Sequence, residues 1–377
     1  IEVLLTVIGR FDDDRFIQFL LATVQQNRTE SVQKTAISLI EKIAERKQWS
    51  RLELAERTIP SAGLEGIDAP TAFSYGHRSL ALTLSKDLKL QLLNEKHEPI
   101  KALPQAVPDD DQTEIKEIKK WINTCKKDLR QVVGEQSVRL YESMINDQHW
   151  VFQEWKERLF QHPIMHQLVQ HILWQVKENG EWMTFAIDRN GDFILSSGEK
   201  LSVSHASELR ILSANQIHPD ECLFWQKYLK KNKVKPLFDQ LSRAEISISQ
   251  QQTTLDQAYG YMTDAHSLRK VMEARGYRRS DIDRDKLRFY EYSKHFQGLG
   301  IIACLEFTGS HYPEIEQQVA IFSMNLVYSN DDQQPFPEES QTVRLTDAPP
   351  NLLNAVALDY KAIADICQPD PDWRSKI

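Results

Sequence analysis

Two histidines four residues apart, His162 and His166 in His-Pro-Ile-Met-His, have the spacing with which one helix face offers two imidazoles to a metal. Pro163 favours the first helical position, which makes His162 the N-cap and sets it outside the regular helix. No glutamate sits between the histidines and no third ligand accompanies them, so the motif predicts a capped helix without a bound metal. His218-Pro219 repeats the device, with Asp220 and Glu221 after it and Lys227, Lys230 and Lys231 a few turns on. Acid at the start and base at the end match the helix macrodipole. That accounts for most of the basic run 227–235 without a phosphate or nucleic-acid ligand. Asp188-Arg189-Asn190-Gly191-Asp192 has the outline of a calcium loop but lacks the twelve-residue frame and closing glutamate. A type I′ turn, with Asn190 and Gly191 both at positive φ, explains it instead.

Arg275, Arg278 and Arg279 surround Gly276-Tyr277 and could clamp a phosphate or carboxylate; they would equally suit a helix C-terminus. Arg243, His266, Arg269 and Arg278 are the candidate ligand-binding set: gathered in one pocket, they would make an enzyme or a nucleotide-binding domain. No phosphate-binding glycine loop, nucleophile elbow or metalloprotease helix occurs, so no motif assigns a catalytic residue and no cofactor is implied.

These residues must be held by recognisable elements. Residues 14–48 read as two antiparallel helices, the first carrying Phe16, Phe19, Leu20 and Val24, the second Val32, Ala36, Leu39, Ile40 and Ile43. Ser50 and Glu53 form a capping box for a third. Such paired helices resemble one turn of a HEAT-type solenoid. Alternating leucines on either side of Ser85-Lys86-Asp87 predict a hairpin, and the acidic, Pro-bounded stretch 104–112 a linker. Helices are expected over 114–133, 135–147 and 152–160. Ile164, Met165, Leu168, Val169, Ile172, Leu173 and Val176 then draw one stripe on a helix begun by His162-Pro163. A hairpin over 182–196, a strand over 209–213 and a helix after Pro219 follow. Thr263 is the expected cap of a helix ended by Gly276. The last third predicts strands 287–296 and 299–307 paired across Gln297-Gly298, and a strand 319–328 with Ala320, Phe322, Met324, Leu326 and Tyr328 on one face. An acidic loop, 331–341, precedes a closing helix over 351–366. Trp174 and Trp225 are expected in the core.

The 377 residues carry a net charge of −8, which argues against a basic nucleic-acid-binding domain. With 41% apolar and 27% charged residues the chain reads as a globular protein, and no apolar run reaches the ~20 residues of a membrane helix. Cys125, Cys222, Cys304 and Cys367 are scattered, which predicts free thiols and a cytoplasmic location. Ile1 is not an initiator methionine, which suggests a chain cut from something longer.

The segments HPIMHQLVQHILW, FAIDRNGDF, HPDECLFWQKYLKKNKVKPLFDQLSR and LRKVMEARGYRRSDID resemble the C-terminal domain of unknown function of bacterial MolR/YehI-type proteins, from about Arg57 onward. The resemblance implies a long cytoplasmic protein with helical repeats and often a WGR domain upstream. It also implies a proposed role in regulating molybdate metabolism and neighbours of MoxR-type ATPase and von Willebrand A type. It carries over no catalytic residues. The chain lacks a Trp-Gly-Arg tripeptide, so the nucleic-acid association of the WGR module does not transfer to it.

The sequence therefore predicts an α+β fold: an N-terminal helical, HEAT-like segment followed by mixed helices and antiparallel β-hairpins. Residues 1–58 would be the solenoid tail, 59–104 a hairpin-containing link and 113–377 the MolR-like domain. The expected function is a non-enzymatic regulatory or scaffolding role. The alternative is an enzyme or nucleotide-binding domain at Arg243, His266, Arg269 and Arg278.

Overall fold

The computed structural model describes residues 5, 7, 13–26, 30–67, 69–280, 287–311, 317–329 and 342–376. Helices and antiparallel sheets make the chain α+β. Two compact units interleave along it. One comprises Ile1–Tyr141, His149–Leu212 and Tyr228–Phe238; the other Glu142–Gln148, Ser213–Lys227 and Asp239–Ile377.

The first unit begins with α1 (Asp14–Gln26), α2 (Glu30–Lys47) and α3 (Arg51–Arg57). Ile17, Leu20 and Val24 of α1 pack with Val32, Ala36, Ile40 and Ile43 of α2 and Leu54 of α3. The expected stripe of α1 is corrected by this packing. Phe16 and Phe19 lie off it, 37% and 49% exposed, because the inward stripe starts at Ile17. Ser50 and Glu53 form the capping box, both bonds at 3.0 Å.

A four-stranded meander follows: β1 (Thr71–Tyr75), β2 (Arg78–Leu84), β3 (Leu90–Leu93) and β4 (Pro99–Ile100). The leucine hairpin is its centre, with Leu84 opposite Leu90. Next comes α4 (Gln112–Ile145), one helix of 34 residues where two were expected. Gly134 does not break it, and a Cβ there would meet nothing. A helix-interior glycine costs only about 1 kcal/mol, less than leaving two helix ends to be capped.

A five-stranded antiparallel sheet in the order β5-β9-β6-β7-β8 completes this unit. β5 (His149–Val151) runs into a helical turn, α5 (Phe152–Trp155), a π-helical turn (Lys156–Phe160) and α6 (Met165–Val169). The helix expected as far as Val176 stops at Val169, and β6 (Leu173–Glu178) begins four residues later. β6 is the middle strand, so Leu173, Trp174, Gln175 and Val176 are all buried. A run buried on both faces carries no two-residue period by which to be told from a helix. Trp174 is fully buried, and its indole donates to the Val169 carbonyl at 3.0 Å.

β7 (Glu181–Ile187) and β8 (Phe193–Leu195) form the expected hairpin, but not through a type I′ turn. Gly191 has φ +82° while Asn190 is not among the positive-φ residues. Gly191 N–H donates to Asp188 C=O at 3.1 Å, and Asp188 N–H to Asp192 C=O at 2.9 Å. This is the three-residue connection with a glycine bulge. The Asp188 carboxylate dictates it by accepting from Asn190 N–H (2.8 Å) and Asp192 N–H (2.9 Å). β9 (Glu208–Ile211) lies between β5 and β6.

The second unit is built on β13 (Arg288–Phe296), β14 (Ile301–His311) and β15 (Gln318–Tyr328), preceded in the chain by α7 (Pro219–Asn232), β10 (Thr254–Leu255), β11 (Met262–Asp264), α8 (Ala265–Ala274) and β12 (Arg278–Arg279). The strand order is β10-β15-β14-β13-β12, with β11 also on β15. Asp264, not Thr263, caps α8, accepting from Ser267 N–H at 2.9 Å. Thr263 is held in β11 opposite Val319, which moves the cap one residue on. β15 does not keep one apolar face. Val319, Ala320 and Ile321 are buried in succession while Tyr328 is 49% exposed, and the ladder slips between Leu305 and Phe307. α9 (Pro350–Ala364) buries Leu352, Val356, Tyr360 and Ile363. Trp225 is fully buried, and the expected acidic loop 331–341 lies outside the described residues.

Candidate functional site

The histidine motif is absorbed by its own loop. His162 Nδ1 faces the backbone N–H of Ile164 and Met165 at 3.2 and 3.3 Å, and its Nε2 meets the Ile59 carbonyl at 3.0 Å. Burial pushes its pKa below the ordinary value, with the Ile59 carbonyl opposing the shift. His166 is bonded likewise, Nδ1 to the Phe160 carbonyl (2.8 Å) and Nε2 to Gln170 (2.9 Å). Both rings are thus engaged through both nitrogens.

Beneath this loop lies a charged cluster that no motif announces. The π-helical turn carries Arg158, only 6% exposed, to Glu53 at 2.8 Å and Glu56 at 3.6 Å. Glu56 is also reached by Arg139 of α4 at 3.4 Å and by the indole N–H of Trp150 at 2.7 Å. Arg139 is oriented by Gln136 at 2.7 Å. One Glu56 oxygen and Arg158 Nε remain buried without a hydrogen-bond partner among the described residues. With Arg57 on Glu53 and Glu154 on Arg158, three cations and three carboxylates balance, so the cluster fixes α3 against α4, β5 and the π turn.

One face of the five-stranded sheet is buried at Leu173, Gln175, Thr184 and Ala186 and opens partly to solvent around Lys177, Trp182 and Glu208. The Arg210 guanidinium of β9 lies 4.1 Å from the ring centre of Trp182 on β7. The Lys177 ammonium is 5.7 Å from the same ring, and the His149 ring meets its edge at 5.5 Å. Glu208 binds His149 Nδ1 at 2.5 Å and Lys177 at 3.7 Å, and Arg210 Nε donates to Gln175 at 2.8 Å. The hydrogen bond from His149, reinforced by Lys177, holds the Glu208 carboxyl below its usual range. The side chains of His149, Lys177 and Glu208 are 35–43% exposed. The open end offers an aromatic ring, two cations and a histidine–carboxylate pair. That arrangement is chemically suited to recognition. Strand pairing assembles it: Lys177 lies opposite Trp182 and Glu208, and Arg210 opposite His149 and Gln175.

The sequence-derived set is distributed differently. Arg243 is exposed on the loop after Ser242. His266 and Arg269 are three apart on α8, where Arg269 pairs with Glu273 at 3.1 Å. Arg278 is exposed on β12, opposite Ser293. Of the neighbouring arginines, Arg275 is engaged by Asp359 at 2.7 Å. A surface cavity of about 420 Å³ in the second unit is lined by Thr263, Asp264, Gln318, Gln368, Asp370 and Lys376 among others, and by none of the four. Its charged groups are occupied by the α8 cap and the Asp370–Lys376 pair. His149, Trp182, Glu208 and Arg210 share no sequence spacing that would mark them as a set. The only available signal was alternation on strands whose register the sequence does not show.

Residues 98–277 match the model of a family described as a domain of unknown function, DUF4132. The chain is 21% identical over 254 residues to the uncharacterized protein YehI of Escherichia coli (strain K12), covering 66% of this chain and 21% of that protein. It thus spans about a fifth of the length of that curated relative. No solved structure matches. The matched stretch contains the histidine loop, the π turn and all of the five-stranded sheet.

Proposed function

We propose that this chain is a non-enzymatic regulatory or scaffolding module that binds other proteins through the partly exposed end of the sheet face that carries Trp182 and Arg210. The supporting observation is the Trp182–Arg210 stack on that face, held in place by its neighbours. Tryptophan and arginine dominate the energetic centres of protein interfaces, and fixing them beforehand lowers the entropy cost of binding. The histidines and most charged groups described above are already engaged inside the fold, which favours binding over reaction chemistry.

The helices α1–α3 fit the tail of a HEAT-like solenoid, since Phe16 and Phe19 leave an apolar surface that a further repeat would cover. The resemblance to MolR/YehI-type proteins suggests MoxR-type ATPases and von Willebrand A-type proteins as partners, a cytoplasmic setting and a link to molybdate metabolism. A titration of the purified chain with those two partner types tests the reading. Trp182→Ala and Arg210→Ala are each expected to weaken binding by at least about 2 kcal/mol, roughly thirtyfold. Unchanged affinity in both variants would remove this face from the interaction.

A second reading rests on His266 and Arg269, which share one face of α8 by their spacing of three. A nucleotide held there would make the chain a nucleotide-binding domain. Binding of ATP that is lost in Arg269→Ala would favour that reading.

A further inference from the structure

In the second unit, the register of β13 and β14 sets Glu291 directly opposite Glu306. The β13–β14 ladder slips beside this pair, between Phe289 and Glu291, and the β14–β15 ladder slips at Glu306, between Leu305 and Phe307. Like charges directly opposite one another weaken an antiparallel pair, and strand pairing is least constrained beside such slips. Among the described residues neither carboxyl has an ion-pair partner. From β14 the Cys304 thiol bonds Glu291. From β15 Asn325 donates to Glu306 at 3.0 Å, while its own Oδ1 is buried without a hydrogen-bond partner. From β12's end Ser280 N–H donates to the Glu291 carbonyl at 2.8 Å. The neighbouring charges are Arg278, opposite Ser293, and His295, two positions beyond it on β13. Burial lifts Glu291 to about 7, with the charge of Glu306 adding to the shift and Cys304 opposing it.

We propose that Glu291 and Glu306 form a proton-operated clasp, closed when one carboxyl is neutral and loosened at the two register slips when both are charged. The clasp belongs to the second unit and does not depend on the proposed binding face. Its sign follows from the raised pKa of a carboxylic acid. The stabilising effect is full below the unfolded value of 4.5 and is lost as pH rises through about 7.

The test is carboxyl-carbon NMR titration of Glu291 in the whole chain, with hydrogen exchange of the β13 and β14 amides at pH 6 and 8, corrected for intrinsic rate. Glu291 is expected to titrate near 7 and amide protection beside it to fall about tenfold between those pH values. Glu291→Gln should abolish that fall and Glu306→Gln should reduce it, with α9 protection unchanged in both. A Glu291 midpoint near 4.5, or an equal loss of protection in Glu291→Gln, would overturn the proposal. Should Glu291→Gln fail to fold, the titration of the parent chain and of Glu306→Gln still decides it.

Discussion

The indole N–H of Trp150 donates to Glu56 at 2.7 Å, joining β5 to α3 across 94 residues of chain. The same carboxylate meets Arg139 and Arg158, so its loss would leave two guanidinium groups without their central anion. Removing one partner of a buried ionic cluster costs about 3–5 kcal/mol, whereas replacing the whole cluster by apolar residues is often neutral. Glu56→Ala should therefore lower the urea midpoint strongly. Combining Glu56→Leu, Arg139→Leu and Arg158→Met should recover most of the loss. A single variant as stable as the parent would mean that water already satisfies the cluster.

Trp174 packs its ring 5.1 Å from Trp155 and 5.8 Å from Trp150, measured between centres. Trp174→Ala is expected to cost ~3–5 kcal/mol in chemical denaturation. Loss of the near-ultraviolet dichroism of this aromatic cluster should accompany it.

The glycine-bulge turn distinguishes two adjacent residues. Gly191→Val must place a β-branched residue at φ +82° and should cost on the order of 1–3 kcal/mol. Asn190→Ala faces no such strain and should change the thermal midpoint far less. Equal effects at both positions would restore the type I′ turn.

Gly309 has φ +93°, and a Cβ there would lie 2.6 Å from the ring of Tyr290. Gly309→Ala should destabilise the second unit by about 1–3 kcal/mol. Tyr290→Ala in the same chain should relieve the steric part of that loss, read as non-additivity in a double-mutant cycle.

His162 should make the first unit acid-sensitive. Its pKa is depressed by burial, so its neutral form is favoured by folding. Its contribution is present above the ordinary value of 6.5 and is lost as pH falls through the depressed value. His162→Gln should flatten the acid limb of the stability profile. Glu291 acts with the opposite sign, so the two variants separate contributions that would partly cancel in the parent.

Element types were legible where a local signal marks a cap or a turn. The capping box at Ser50, the leucine hairpin and the β7–β8 hairpin all follow from local patterns. Reading failed where burial is two-sided, as at Leu173–Glu178, since periodicity then carries no information. It failed again at Gly134, a composition signal without a conformational demand. The chemistry was less legible than the fold. His162 and His166 stand out as a motif yet serve the backbone of their own loop. Glu56, Arg158 and Trp150 meet only through tertiary packing, and Trp182 and Arg210 only through strand register.

The interleaving of the two units has a consequence for biosynthesis. On a ribosome, the segment Glu142–Gln148 emerges well before Ser213–Lys227, the next piece of its own unit. The first unit in turn receives its last piece, Tyr228–Phe238, only after both have appeared. At about 5–20 residues per second, the roughly 90 residues after Gln148 take several seconds to make. Through that interval the first unit waits for its last piece, and the early segment of the second unit waits longer still, for Asp239–Ile377. In a nascent chain stalled before Phe238 the residues of the first unit should be more protease-sensitive than in one stalled after it, and neither unit can be excised as one continuous stretch.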